Sequence, residues 1–129
     1  MPSNPAERVV AIDHVQVTVP KERESEAKRF YGEVLGLAEI EKPEALKQRG
    51  GAWYAIGNAQ FHLVIEAAAE GGGSRRHVCF RVGDLERMRA RVGAAGFAIA
   101  EEEPQADGLR RFFTRDPAGN RVEIGERTG

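Results

Sequence analysis

Arg111 to Gly125 reads RFFTRDPAGNRVEIG. Phe112 and Phe113 close one strand. Asp116-Pro117-Ala118-Gly119-Asn120 forms a tight turn: proline pre-sets φ, and glycine and asparagine accept positive φ. Arg121 to Gly125 returns as a second strand. Side chains alternate along it, so Val122 and Ile124 share one face and Glu123 takes the other. A carboxylate opposite two core-type residues is most often simply solvated. Its meaning depends on what shares its face, and the chain's three histidines fall at comparable places.

At 129 residues the chain is expected to be a single domain with a real core. Nineteen basic against twenty acidic residues leave a net charge of −1. That balance, without a basic patch interleaved with aromatics, argues against nucleic-acid binding. No apolar run approaches the ~20 residues of a membrane span. MPSNPAER carries no apolar signal-type stretch. The single Cys79 excludes an internal disulfide and fits a reducing, cytoplasmic location.

Working outward from the closing hairpin, the same pattern occurs twice. Met1 to Arg8 is read as a loose tail. Val9 to Val19 is a strand, with Val15, Val17 and Val19 on one face and His14, Gln16 and Thr18 on the other. A helix follows over Glu22 to Leu35, its apolar stripe Ala27, Phe30, Tyr31, Val34 and Leu35, with Gly36 at its C-terminal cap. Leu37 to Glu41 is a short strand, and Pro43 to Gly51 a loop long enough to border a site. Ala52 to Ile56 and Gln60 to Glu66 form a hairpin that sets His62 opposite Phe61, Leu63 and Ile65. After the glycine-rich linker Ala67 to Ser74, the pattern restarts. Arg76 to Val82 is a strand bearing His77, Cys79 and Arg81 on one face. Asp84 caps a helix reaching Ala95, with Leu85, Met88 and Val92 inward. Phe97 to Ala100 is a strand, Glu101 to Gly108 an acidic loop, and the closing hairpin completes the set. The fold expected is α+β: two βαβββ modules, at about 9–66 and 75–126, forming a cupped mixed sheet with helices on its outer face. In this alignment His14 matches His77, and His62 matches Glu123.

The helices must cover the apolar faces, which leaves His14, His62, His77 and Glu123 on the uncovered one. Any single strand histidine is more often a satisfied polar residue than a ligand. The repeat raises the odds by making the residues equivalent in pairs. Three imidazoles and a carboxylate suit a divalent Zn, Ni, Fe, Mn or Co ion. Such an ion keeps net positive charge and acts as a Lewis acid toward a substrate oxygen or water.

The segments DHVQVTV, AKRFYGEVLGL, FHLVIE, RHVCFRV and FFTRDPAGNRVEI, from Ile12 to Ile124, resemble the vicinal oxygen chelate superfamily of glyoxalases, extradiol dioxygenases, fosfomycin- and bleomycin-resistance proteins and an epimerase. The resemblance implies paired βαβββ modules and a central metal held at His14, His62, His77 and Glu123. In several members the modules pair across a homodimer, so that one site draws on two chains. There are departures from individual members. Glyoxalase I has Glu where this chain has His62, although a histidine can ligate or shuttle a proton there. Extradiol dioxygenases have Tyr at the place of Phe113 and an upstream His that Gln105 to Arg111 lacks. Fosfomycin thiol transferases have Thr at the place of Gln16. Bleomycin-binding members generally lack the metal ligands.

The expected function is therefore a metal-dependent enzyme acting on a small oxygen-bearing substrate. Lyase or isomerase chemistry is favoured over thiol transfer or dioxygenation, with His62 and Glu123 catalytic. The alternative is a non-catalytic binder of an antibiotic or metabolite. Gln16, Thr18, Cys79 and Arg81 have the parity to line the cleft, Cys79 as a packing residue rather than a nucleophile. Of Trp53 and Tyr54, one packs and the other walls the pocket. Glu66, at a strand end, is read as a surface charge. Arg110, Arg111 and Arg115 are read as solvated.

Overall fold

The computed structural model describes residues 4–67, 73–101 and 107–127. The linker residues 68–72, the acidic-loop residues 102–106 and part of the expected tail lie outside them. Strands β1 (His14–Val19), β2 (Ala38–Ile40), β3 (Ala52–Ile56) and β4 (Ala59–Ile65) form one sheet in the order β1-β4-β3-β2. Strands β5 (His77–Arg81), β6 (Leu109–Arg115) and β7 (Arg121–Arg127) form a second, in the order β5-β7-β6. In each sheet one parallel pair, β1 with β4 and β5 with β7, joins antiparallel neighbours. Helix α1 (Glu24–Lys28) and α2 (Leu85–Ala94) complete the α+β architecture. No helix among the described residues is long and apolar enough to cross a membrane.

Several expectations are corrected by local physics. The opening strand begins at His14, not Val9, because His14 already pairs with Gln60 near the start of β4. Residues before it overrun their only neighbour, and Val9, Val10 and Ile12 stand exposed. The first helix is not one α-helix over Glu22 to Leu35. A 3-10 turn (Lys21–Arg23) leads into α1, which widens to a π-helix over Arg29–Val34. The expected stripe nonetheless faces the core: Ala27, Phe30, Tyr31 and Val34 are buried, and Leu35 partly so. Phe97 to Ala100 makes only an isolated bridge, Ala100 to Phe113, instead of a fourth strand in the second sheet. The Pro43–Gly51 loop contains a 3-10 stretch at Glu44–Arg49. Asp84 caps α2 as expected, accepting from the Arg87 amide at 3.0 Å.

The two sheets are separate and share one core. Phe61 of β4 meets Phe80 of β5 edge-on at 5.4 Å, and Tyr31 and Phe30 pack across to Phe80 and Phe97. Burying side chains of this size contributes roughly 1.5–3 kcal/mol each. The Asp-Pro-x-Gly-Asn turn clasps the halves together. Buried Asp116 accepts from the Tyr31 hydroxyl at 2.7 Å and from Asn120 Nδ2 at 2.8 Å, while the same Nδ2 donates to the Thr18 carbonyl at 3.0 Å. This packing has a consequence for the polar faces. His62 follows Phe61, and Cys79 precedes Phe80. Since the apolar faces meet, the faces bearing His62 and Cys79 point away from the shared core.

Candidate metal centre

The structure brings the four expected residues together as two pairs. On the first sheet, Trp53, His62 and His14 form a stack. Trp53 lies on His62 at 3.8 Å between centroids and 5° between planes, and His14 covers the other side at 4.4 Å and 17°. Strand register sets Trp53 directly beside His62, while His14 reaches over it diagonally, two residues before Gln16, the β1 partner of His62. Tyr54, one residue on, is buried in the core, so Trp53 is the wall residue. On the second sheet, His77 Nε2 lies 2.9 Å from Glu123 Oε1, although β5 and β7 pair His77 with Arg121 and Cys79 with Glu123. Among the described residues no group of three or more His, Cys, Asp or Glu side chains comes together to hold an ion.

Hydrogen bonding sorts the nitrogens. His14 Nδ1 meets Asp13 Oδ1 at 2.8 Å, and a carboxylate accepts, so the proton sits on Nδ1 and Nε2 is left open. His77 Nδ1 donates to the Arg75 carbonyl at 2.9 Å, which leaves the Nε2 lone pair of a neutral ring aimed at Glu123 Oε1. Two lone pairs 2.9 Å apart require a cation between them, a proton or a metal ion. Adjacent ligands bound at ~2.1 Å to one ion have about that separation. The acceptor on Nδ1 is the supporting arrangement that metal-bound histidines commonly show. The donor chemistry thus fits a divalent ion. His62 differs: its Nε2 meets Gln60 Oε1 at 2.8 Å, which leaves Nδ1 as its basic atom. Burial, then the neighbouring His14, push its pKa below the usual histidine value.

Sequence reasoning left Arg111 among the solvated arginines, and the structure corrects this. Its side chain is 12% exposed, donates to Glu123 Oε2 at 2.9 Å and also pairs with Asp107. Glu123, 5% exposed at its side chain, is therefore pinned at both oxygens. The available signal was parity: Arg111 lies two residues before Phe113, the register partner of Glu123. Phe113 packs edge-on to His77 at 5.4 Å. Arg110 and Arg115 are exposed, as expected. Cys79 sits by Glu123, and desolvation of its thiol, then that carboxylate, push its pKa up to about 11. A thiol held neutral is no nucleophile. Arg81 and Glu66 lie exposed at or beyond strand ends.

An α+β chain with two mixed sheets, each opening on a histidine-bearing strand, defines a narrow structural class. Residues 11–124 match the family model for the Glyoxalase/Bleomycin resistance protein/Dioxygenase superfamily, and the chain belongs to that superfamily. A glyoxalase family protein from Bacillus anthracis is 36% identical, with 95% of this chain and 98% of that one covered and a TM-score of 0.82. Lactoylglutathione lyase from Agrobacterium tumefaciens is 24% identical over 92% and 95% of the chains, with a TM-score of 0.69. An antibiotic-binding protein from Streptomyces sp. CB03234 is 20% identical over 93% and 98%, with a TM-score of 0.70. No curated protein sequence matches.

Proposed function

We propose that the chain is a metal-dependent enzyme acting on a small oxygen-bearing substrate, with lyase or isomerase chemistry, whose site is completed across a homodimer. The observation that carries the metal reading is the facing pair of His77 Nε2 and Glu123 Oε1 at 2.9 Å, with Nδ1 already committed to a carbonyl. His14, through its open Nε2, joins them as the third protein donor. The bound ion would supply Lewis-acid charge toward a substrate oxygen. Arg111 keeps Glu123 oriented. The Gln60 bond favours His62 as the base, taking a proton at Nδ1 beside the ion, over a fourth ligand.

The homodimer reading answers why the donors are split. Within one chain the two polar faces point away from a common core, and β1 and β5 are open sheet edges. A second copy that sets its β5 edge beside β1 brings its His77 and Glu123 to His14 and His62. The same copy would cover the exposed Val9, Val10 and Ile12 and the apolar groove of about 620 Å³ lined by Ile12, Val15, Phe61, Val78, Phe80 and Met88. The two βαβββ modules, about 9–66 and 75–126, would then act as exchangeable halves.

Elemental mass spectrometry of untagged protein beside His77→Ala tests this reading. It expects near-stoichiometric Zn, Ni, Mn, Fe or Co in the parent and little in the variant. Metal in neither, even after divalent ions are added back, would favour the second reading, a small-molecule binding or resistance protein, which the likeness to the antibiotic-binding fold keeps in view.

A further inference from the structure

A second cavity, of about 340 Å³, opens on the same face of the first sheet as His14 and His62. Gln16 and Trp53, the two register partners that flank His62, form its floor together with Val64. Lys42, Leu46 and Arg49 form its other wall. Among the described residues no carboxylate lines it. On the same loop Lys47 pairs with Glu41 and Glu44. Among the described residues neither Lys42 nor Arg49 has a carboxylate partner, and Lys42 donates only to the Gly50 carbonyl.

The wall is built rather than loose. Gly50 and Gly51 take positive φ, 74° and 75°, and a Cβ at Gly51 would run into the Leu63 carbonyl oxygen. The loop therefore lies flush on β4. Glu24 anchors it from α1 by accepting from the Gly51 amide at 2.7 Å, and among the described residues it forms no ion pair with Lys42 or Arg49. The space suits a molecule of roughly ten heavy atoms, at ~30 Å³ for each water-sized group.

We propose that this cavity binds the oxyanion of a small anionic substrate, a carboxylate, phosphonate or phosphate. Lys42 and Arg49 carry the recognition, Gln16 donates from the floor, and Trp53 walls the non-reacting part of the molecule. The anion anchors one end so that the other extends past Trp53 toward the edge of the His62–His14 stack. The inference deepens the metal-enzyme reading and rests on it for what happens at those histidines, but not for the binding itself.

Trp53 is the chain's single tryptophan, so its fluorescence reports on this wall directly. Malonate, methylphosphonate and inorganic phosphate are titrated into metal-free and metal-loaded protein, with dimethyl malonate as the uncharged control. The expected result is saturable quenching by at least one anion, none by the ester, and weakening as salt rises. Lys42→Gln and Arg49→Gln should each weaken binding about tenfold, with Arg49→Lys recovering part of it. Which anion binds tightest distinguishes carboxylate from phosphorus oxyanions. Circular dichroism and metal content, unchanged in the variants, show that fold and metal site persist. Absence of saturable quenching, or variants that bind as the parent does, overturns the proposal even if metal is bound. Cation-dependent anion binding in a protein that takes up no metal upholds it while the enzyme reading fails.

Discussion

His77 and Glu123 face each other through Nε2 and Oε1 at 2.9 Å, on neighbouring strands of a sheet whose other face carries the core residues Val122 and Ile124. The imidazole is oriented from behind by the Arg75 carbonyl and the carboxylate from its far side by Arg111. Both groups are thus held in place by their neighbours, as the proposed ligand pair would require.

Arg111 should therefore govern metal affinity without touching the ion. Arg111→Gln is expected to weaken metal binding by about 10–100-fold, the usual effect of removing a group that orients a ligand. Arg111→Lys should fall between, because a single ammonium cannot bridge Glu123 and Asp107 as the planar guanidinium does. Competition against a chelating dye measures this.

The Asp116 clasp should dominate stability. Asp116→Ala strands the Tyr31 hydroxyl and Asn120 amide that the carboxylate now serves, at a cost of about 3 kcal/mol or more. Tyr31→Phe removes one bond and should cost about 1–1.5 kcal/mol. Urea unfolding of the single and double variants should show the two effects to be strongly non-additive, since they share one contact.

The chain's two tyrosines give a pH prediction independent of any metal. Burial, then Asp116, raise the Tyr31 phenol well above 10, and burial, then Glu39, push Tyr54 up to about 12. Each is an acid whose folded pKa exceeds its unfolded value. The stability they contribute is complete below pH ~10 and is lost as pH rises through 10 toward the folded values. Absorbance at 295 nm should stay flat through pH 10–11 in folded protein and rise only with unfolding. A normal phenol titration before unfolding would contradict this.

Cys79 should be a poor nucleophile despite its exposure. With its pKa near 11, alkylation by iodoacetamide at pH 8 should run well below the rate of a free thiol. Glu123→Gln should raise that rate by removing the adjacent negative charge.

Strand parity made much of this legible. The alternation around His14, His62, His77 and Glu123 needs only the period of two, and the turn residues of Asp116 to Asn120 announce the closing hairpin. What parity does not encode is where one face ends up relative to another. That depends on how Phe61, Phe80 and Tyr31 pack, which is a long-range outcome. The four residues expected in one cleft thus lie as two separate pairs. The π-helix at Arg29–Val34 was equally hidden, because its apolar spacing looks α-helical. Arg111 was read as solvated because arginines flanking a hairpin usually are; its parity with Phe113, the register partner of Glu123, was the signal that it lies on that carboxylate's face. Lys42 and Arg49 lie in or beside a loop read only as long enough to border a site. Their lack of carboxylate partners is a three-dimensional fact.

The central claim is that one metal site is assembled from two copies of the chain, and complementation tests it most directly. His14→Ala and His77→Ala each break both sites of a homodimer. In a heterodimer of the two variants, separated by distinct removable tags, one site carries both substitutions and the other carries none. Metal content should be near zero in each parental homodimer and close to one ion per heterodimer. A heterodimer as empty as its parents, while unsubstituted protein binds metal, would mean that the donors assemble within a single chain and would contradict the account.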